Sequence, residues 1–190
     1  MTTEQGSNTK EPSKSEKNVS QFLSKLAKLD AGDNAIVKRV AGCSIAEARG
    51  AMSVFYRILP HDVPARDREW YFLVATLYCL ERTRQLPAFK GNLGMTLRKV
   101  RRSFDSKSLD RRVNALIDSR AEPDDLGYRL RQVVKLAFSK NVAVDWHQLL
   151  VDLIHWTYPT RYVQESWVQA YYGYEFTKKT KKDDTKQGGT

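Results

Sequence analysis

The chain has 190 residues, of which 41% are hydrophobic and 11% are aromatic, and its formal net charge is +10. This composition supplies enough apolar side chain for a packed core, so it excludes a wholly disordered chain. The longest mainly apolar run, residues 70–80, is well short of the ~20 residues that a membrane-spanning helix needs. The N-terminus is polar and has no apolar signal segment, so we expect a cytoplasmic protein with no membrane partner.

The positive charge is concentrated in one part of the sequence. Residues 1–17 are neutral and residues 173–190 carry +2, which leaves +8 for the residues between them. Residues 82–112 hold ten basic and two acidic side chains, and therefore a net charge of +8. Such a concentration is typical of proteins that bind the phosphate backbone of nucleic acids. A solvated, arginine-rich helical surface without a ligand is the alternative.

The first half of the chain predicts a tail and then a helical bundle. Residues 1–17 are polar and predict a flexible tail, whereas residues 18–86 carry apolar residues at helical spacing. Residues 44–47 begin with Ser and end with Glu, a capping-box pattern that predicts a helix continuing to Pro60. The helix predicted from Asp67 is apolar almost all round, so it belongs at the centre of a bundle.

The second half, residues 87–173, predicts another small helical bundle, and residues 174–190 predict a flexible basic tail. No stretch shows the alternation expected of a strand, so the predicted fold is all-α, with eight to nine helices in two packed bundles. The predicted helices span residues 93–104 or begin at Ser106, Pro123, Asp145 and Thr160, and the last ends at Gly173. The predicted core residues include Trp70, Leu77, Leu97, Leu130 and Leu153.

Three consecutive predicted helices between residues 93 and 139 have basic faces. Placing their residues at steps of about 100° puts the basic side chains mostly opposite the apolar stripes. Few acids lie among them, whereas solvated helix surfaces usually mix both signs. If the helices pack side by side, they form one continuous basic surface. Its candidate nucleic-acid-binding residues are Arg98, Lys99, Arg101, Arg102, Arg111, Arg112, Arg131 and Lys135, with Arg101 at the border of its apolar stripe.

The sequence contains no recognisable catalytic or metal-binding pattern. His61, His147 and His155 have no cysteine or paired histidine at ligand spacing. Asp145 and Asp152 are interpreted as a helix cap and a helix-surface residue, not as the clustered carboxylates of a metal-dependent nuclease. Glycine-rich phosphate loops and nucleophile motifs are also absent from the sequence. We therefore expect no enzymatic activity, no metal, no cofactor and no small-molecule substrate.

Most aromatic side chains lie on or beside apolar stripes, so core packing is their expected role. Among the aromatic residues, the group that the pattern favours most for exposure consists of Trp156, Tyr158 and Tyr162. Exposed aromatic rings can stack on nucleobases, so this group is a second candidate contact with nucleic acid.

Several short motifs, taken in their order along the chain, resemble the CasB family. This family is the small α-helical subunit of Cascade, the type I-E CRISPR surveillance complex. The resemblance covers about residues 19–173 and excludes the tails. The motifs lie at residues 55–60, 70–78, 92–94, 111–112, 130–134 and 144–146 and at Trp167.

The resemblance implies a non-enzymatic protein of nine helices in two bundles, present as two head-to-tail copies that bridge the other Cascade subunits. Its basic surface would hold the target strand and the displaced strand after the guide RNA has paired. Lys38 and Arg39 match a basic pair of the family, Arg57 its Phe-Tyr-Arg motif, Arg111 and Arg112 its double arginine, and Arg131 its Leu-Arg motif. Arg57 is also a candidate for an ion pair that supports the fold.

The leading hypothesis is a non-catalytic subunit that stabilises the R-loop of guide RNA and target DNA in antiviral defence, through contacts that do not depend on sequence. Its partners would be the guide RNA, the target DNA strands, the other Cascade proteins and a second copy of itself. The first alternative is a purely architectural subunit whose basic faces dock acidic protein partners. A helical DNA-binding regulator would need a recognition helix, which is not evident here, and an enzyme would need a catalytic site.

Overall fold

The computed structural model describes residues 13–81, 86–103 and 106–174. Within these residues the chain forms nine α-helices and no strand, which confirms the all-α prediction. A 3₁₀ turn at Ala65–Asp67 leads into α4, and a π-helical turn at Pro123–Gly127 leads into α7. The helices are α1 (Lys14–Ala27), α2 (Ala31–Arg39), α3 (Met52–Ile58), α4 (Arg68–Glu81), α5 (Leu93–Arg101), α6 (Ser106–Ile117), α7 (Tyr128–Ser139), α8 (Trp146–Ile154) and α9 (Tyr162–Tyr172).

Helix α1 begins earlier than the predicted end of the N-terminal tail at residue 17. The Ser13 hydroxyl oxygen accepts a hydrogen bond from the Glu16 backbone N–H at 3.3 Å, and the Glu16 carboxylate accepts one from the Ser13 N–H at 2.7 Å. This reciprocal capping box satisfies two N–H groups that the first turn would leave unpaired, so residues 14–17 are helical. The rest of the predicted tail, residues 1–12, lies outside the described residues, as do residues 175–190.

The helix predicted from the Ser44–Glu47 capping box does not form there. Residues 44–51 are mostly turns, and α3 begins only at Met52. Gly50 has a φ of 84°, which interrupts a right-handed helix, and the Ile45 N–H donates to the Glu69 carboxylate of α4 at 3.1 Å. Burial raises the pKa of Glu69, against the opposing effect of this hydrogen bond. The segment is therefore held by tertiary contacts instead of by helical ones.

The predicted helix ends in the second half are mostly confirmed. Asp145 caps α8 by accepting from the Gln148 N–H at 3.1 Å. Gly173 ends α9 in the left-handed conformation, with a φ of 86°. The predicted start at Thr160 is wrong, because Arg161 is itself left-handed (φ 52°) and α9 begins at Tyr162.

The buried apolar side chains form one contiguous cluster that includes residues on both sides of the predicted boundary between bundles. Helix α4 is central, and packs against α2, α7 and α8, while α5 packs most extensively against α9. All five predicted core residues, among them Leu77 and Leu153, are buried. The division into bundles at residues 86 and 87 stays a prediction. No helix in the described residues has the combination of length and apolar character needed to cross a membrane.

Candidate nucleic-acid interface

Two of the candidate nucleic-acid-binding residues lie at the end of α2. Lys38 and Arg39 occupy its last turn and are exposed, where their charges also suit the negative end of the helix dipole. Arg57 on α3 is exposed too, but its guanidinium forms an ion pair with Asp33 of α2. The pair links α2 to α3. The ion pair that the sequence analysis gave as an alternative role for Arg57 is therefore present.

Helix α5 places three exposed cations at its C-terminal end, Arg98, Lys99 and Arg102. The Arg98 guanidinium lies against Gly173 at the end of α9, since a Cβ added to this glycine would come within 2.7 Å of Arg98 Nη2. Lys99 Nζ lies 3.8 Å from the centroid of the Phe89 ring. Two of these cations therefore have local packing contacts in addition to their exposure.

Arg101 is half-buried and its charge is already engaged. Its Nη2 lies 3.6 Å from Asp110 Oδ2, and its guanidinium carbon lies 5.3 and 5.4 Å from the ring centroids of Tyr171 and Tyr172. The Tyr171 hydroxyl donates to Asp110 at 2.6 Å, and burial, followed by the contact with Asp110, raises the pKa of Tyr171. Arg101 thus joins α5, α6 and α9, and is the weakest of the α5 candidates for phosphate binding.

A groove of about 300 Å³ separates α6 from α7. Arg111 and Arg112 line it from α6, and Tyr128 and Gln132 line it from α7 together with Arg129. Both α6 arginines are exposed, as the helical projection predicts, and no described carboxylate forms an ion pair with either of them. Sequence reasoning missed the exposed Tyr128 and the half-buried Gln132, although their spacing of four residues, off the apolar stripe of α7, puts them on the same side of the helix.

The remaining arginine of the groove is neutralised locally. Arg129 Nε donates to Asp125 Oδ1 at 2.5 Å, and the Arg120 backbone N–H donates to Asp125 Oδ2 at 2.9 Å. These two hydrogen bonds, the backbone one first, lower the pKa of Asp125. The ionised carboxylate therefore keeps Arg129 paired, while Arg111 and Arg112 supply the net positive charge of the groove.

The two candidates on α7 differ in exposure. Lys135 is exposed, as predicted. Arg131 is not the outward-facing residue that the helical projection predicted, because it is half-buried against the turn after α2. A Cβ added to Gly42 would lie 3.0 Å from Arg131 Cδ, and Arg131 Nε is buried without a hydrogen-bond partner in the structure. The projection failed here because it cannot register a turn from elsewhere in the chain that covers the face.

The contacts bring the candidates together in groups. Arg111 and Arg112 share the α6–α7 groove, and Arg131 reaches the turn that follows Lys38 and Arg39. The cations of α5 lie beside α9. One continuous basic surface across α5, α6 and α7 stays a prediction.

Both acids that the sequence analysis interprets as structural residues, Asp145 and Asp152, make contacts within the fold. Asp145 caps α8 and also accepts from the Gly91 N–H at 3.2 Å. Asp152, predicted to be a surface residue, is only 8% exposed and accepts from Trp167 Nε1 at 2.6 Å and from Gln148 Nε2 at 2.8 Å. Burial raises the pKa of Asp152, against the effect of these hydrogen bonds. Among the described residues, no three His, Cys, Asp or Glu side chains are grouped so as to hold a metal ion.

The aromatic group at the start of α9 is only partly exposed. Trp156, expected to be accessible, is 2% exposed because its ring packs against Trp167, with 5.0 Å between centroids. Tyr158 and Tyr162 are exposed, as expected, and their ring centroids are 5.7 Å apart in an edge-to-face arrangement.

Comparison with known proteins identifies the family. The sequence profile described as CRISPR-associated protein Cse2 matches residues 33–172 of this chain. A Cse2 protein of Thermus thermophilus is 33% identical over 125 residues, which is 65% of this chain and 68% of that protein.

Solved structures share the fold. CasB from Thermus thermophilus has a TM-score of 0.68 at 28% identity, with 85% of this chain and 99% of that chain covered. CasB from M. ruber has a TM-score of 0.66 at 28% identity, with 82% and 93% covered. A chain of a CRISPR RNA-guided surveillance complex has a TM-score of 0.68 at 21% identity, with 83% and 93% covered. The profile match spans well over half of the sequence and agrees with the resemblance found there: the chain belongs to the Cse2 family of CRISPR-associated proteins, whose solved members include the CasB proteins.

Proposed function

We propose that the chain is a non-catalytic subunit of a type I-E CRISPR RNA-guided surveillance complex, and that its basic residues hold the nucleic-acid strands of the R-loop. Membership of the Cse2 family, and the fold shared with a chain of such a complex, support a place in the assembly. Its partners would be the other protein subunits, a second copy of this chain, the guide RNA and the target DNA.

The observation that carries the nucleic-acid role is the set of exposed cations without a described carboxylate partner. Lys38, Arg39, Arg111 and Arg112 belong to this set. An arginine that a carboxylate does not occupy can form charge-assisted, bidentate hydrogen bonds with a phosphate. Because guide pairing identifies the target, the protein needs to offer only charge and shape to the backbone.

R-loop formation exchanges one duplex for another of similar stability, so a few backbone contacts decide how long the open state lasts. We expect complexes assembled with a variant in which Lys38, Arg39, Arg111 and Arg112 are all alanine to release target duplex at least ~10-fold faster than wild-type complexes. The measurement is the dissociation rate of labelled target duplex from reconstituted complexes. Arg57, Arg101 and Arg131 are left intact, because each has a contact within the fold.

A matched control removes the same number and kind of charges elsewhere. Lys28, Arg49, Arg66 and Arg120 are exposed and lie outside the candidate interface, so their joint replacement by alanine should leave release unchanged. Full assembly with an unchanged release rate in the first variant would contradict the proposal. Normal folding with failed assembly would favour the architectural role, in which the basic faces dock protein partners.

A further inference from the structure

The α6–α7 groove combines positive charge with an exposed aromatic ring. Tyr128 is 58% exposed at the first position of α7, and lines the groove opposite the two arginines of α6. The exposed rings of Tyr158 and Tyr162 pack against each other, and Tyr172 packs against Tyr171. No aromatic ring among the described residues packs against Tyr128. Its face is therefore available to a flat ligand.

The groove has the size and lining of a small-ligand site. Its volume of about 300 Å³ is at the lower end of the range of about 300–1,000 Å³ for such sites. Ala115 and Val133 contribute apolar surface, Gln132 contributes an amide that can both donate and accept, and none of the lining residues is acidic. A nucleotide has a flat base with polar edges and an anionic phosphate, and the groove offers an aromatic face, an amide and two cations to match them.

We propose that this groove binds one unstacked nucleotide of a single strand, with its base stacked on Tyr128 and its phosphate held by Arg111 and Arg112. This inference rests on the proposed nucleic-acid function, and adds to it a contact with the base. Arg129 does not compete for the phosphate, because Asp125 holds it at 2.5 Å. Stacking requires a base whose face is not covered by its neighbours, so the groove selects single strands over duplex. It tolerates any base, because every base has a flat π-face.

The test compares two strands of equal length and equal phosphate charge. One is an oligothymidine, and the other has abasic sites in place of the thymidines. Affinity of the full-length chain for each strand is measured by fluorescence anisotropy at one fixed salt concentration. Wild type should bind oligothymidine more tightly than the abasic strand. Tyr128→Ala should weaken oligothymidine binding by at least about 5-fold, the lower limit expected for one stacked base, and change abasic binding by less than about 2-fold.

Two further variants separate stacking from other effects. Tyr128→Phe keeps the ring and should retain wild-type affinity for oligothymidine. Tyr158→Ala tests the competing candidate, because it removes a ring of similar exposure (54%) from the second aromatic group, outside the groove. If the base stacks on Tyr128, this variant should bind both strands as the wild type does. Thermal melting of each variant checks that folding is retained.

The outcomes distinguish the base contact from the nucleic-acid function. If wild type binds both strands equally, or Tyr128→Ala weakens both strands by the same factor, the base contact is wrong while backbone binding stands. If wild type binds neither strand, the proposed nucleic-acid function fails, and the stacking site fails with it. Selective loss on oligothymidine in Tyr158→Ala, with none in Tyr128→Ala, would move the base contact to the segment before α9 and overturn the assignment to the groove.

Discussion

The buried Asp152 links two helices by hydrogen bonds, and its ionisation makes the stability of the fold depend on pH. Its carboxylate accepts hydrogen bonds from Trp167 on α9 and Gln148 on its own helix α8. Burial raises its pKa above the ordinary value of 3.8, so the folded chain holds this proton to a higher pH than the unfolded chain. Its titration therefore favours the folded state most at pH values below about 3.8, and this contribution is lost as the pH rises through the raised pKa.

Asp152→Asn tests that sign. The amide mimics the protonated carboxyl and does not titrate, so the stability of the wild type relative to the variant should decrease as the pH rises from about 4 to about 7. Urea unfolding at each pH gives the two free energies of unfolding. Asp125→Asn is the control of opposite sign, because the pKa of Asp125 is lowered. The stability of the wild type relative to this variant should therefore stay nearly constant from about pH 4 to about pH 7 and decrease only as the pH falls below about 4. If the stability of the wild type relative to Asp152→Asn instead increases with pH, the raised pKa of Asp152 is contradicted.

Residue-level predictions from the sequence succeeded where the contact is local. The role of Asp145 as a cap depends on a backbone N–H three residues away, and the sequence displays that spacing. Asp152 bonds to Trp167, fifteen residues away across a turn, and no local pattern shows such a contact. The same reason explains Arg131, whose burial depends on the turn at Gly42, and Tyr128, whose position in a groove depends on the facing helix α6.

At the scale of elements, α5 and α9 approach each other so closely at Gly94 that only a glycine fits there. Gly94 is fully enclosed, and a Cβ at this position would lie 2.8 Å from the carbonyl carbon of Trp167 and nearer still to its oxygen. Backbone lies on both sides of the contact, so neither helix can yield by a side-chain rotation. This close approach also sets where α5 presents its cations, because Arg98 and Arg101 contact the end of α9.

Gly94→Ala should therefore destabilise the protein even though alanine is the better helix former. Overpacking typically costs about 1–3 kcal/mol, and we expect the upper end or more, because the clash is with backbone. Gly32→Ala in α2 is the matched control: its nearest neighbour is the Asp30 side chain at 3.3 Å, so we expect a change of no more than about 1 kcal/mol in either direction. Urea unfolding measures both. A Gly94→Ala variant as stable as wild type would show that α5 and α9 can separate without cost.

Helix boundaries show which local sequence signals are enough to predict where a helix ends. Gly173 was predicted to end a helix and ends α9 in the structure, because glycine itself readily adopts the left-handed backbone conformation found there. The pattern at residues 44–47 failed because Gly50 and the bond from Ile45 to Glu69 oppose a helix there. Only the half of the capping box formed by the Ser44 N–H and the Glu47 carboxylate is present, at 3.3 Å.

At the scale of the whole molecule, the charge and the core have different organisation. The candidate cations of α5, α6 and α7 could be identified by projecting each helix separately, whereas those of α2 and α3 were identified by the resemblance to a known family. The core extends through both halves of the chain, and its continuity could not be found in that way, because it depends on how α1 and α4 pack against α8. Contacts across the predicted bundle boundary bear directly on whether the halves unfold together.

Leu77→Ala is the substitution that decides between one cooperative unit and two. Leu77 is fully buried in α4, the helix that packs against α2 from the first half and against α7 and α8 from the second. Its truncation should cost about 2–5 kcal/mol. If the shared core makes the described helices one unit, the most protected amides of α9 should lose as much protection against hydrogen exchange as those of α4. Native-state hydrogen exchange of wild type and variant measures both helices in one experiment. Unchanged protection in α9, beside a large loss in α4, would instead establish two bundles that unfold independently at the predicted boundary.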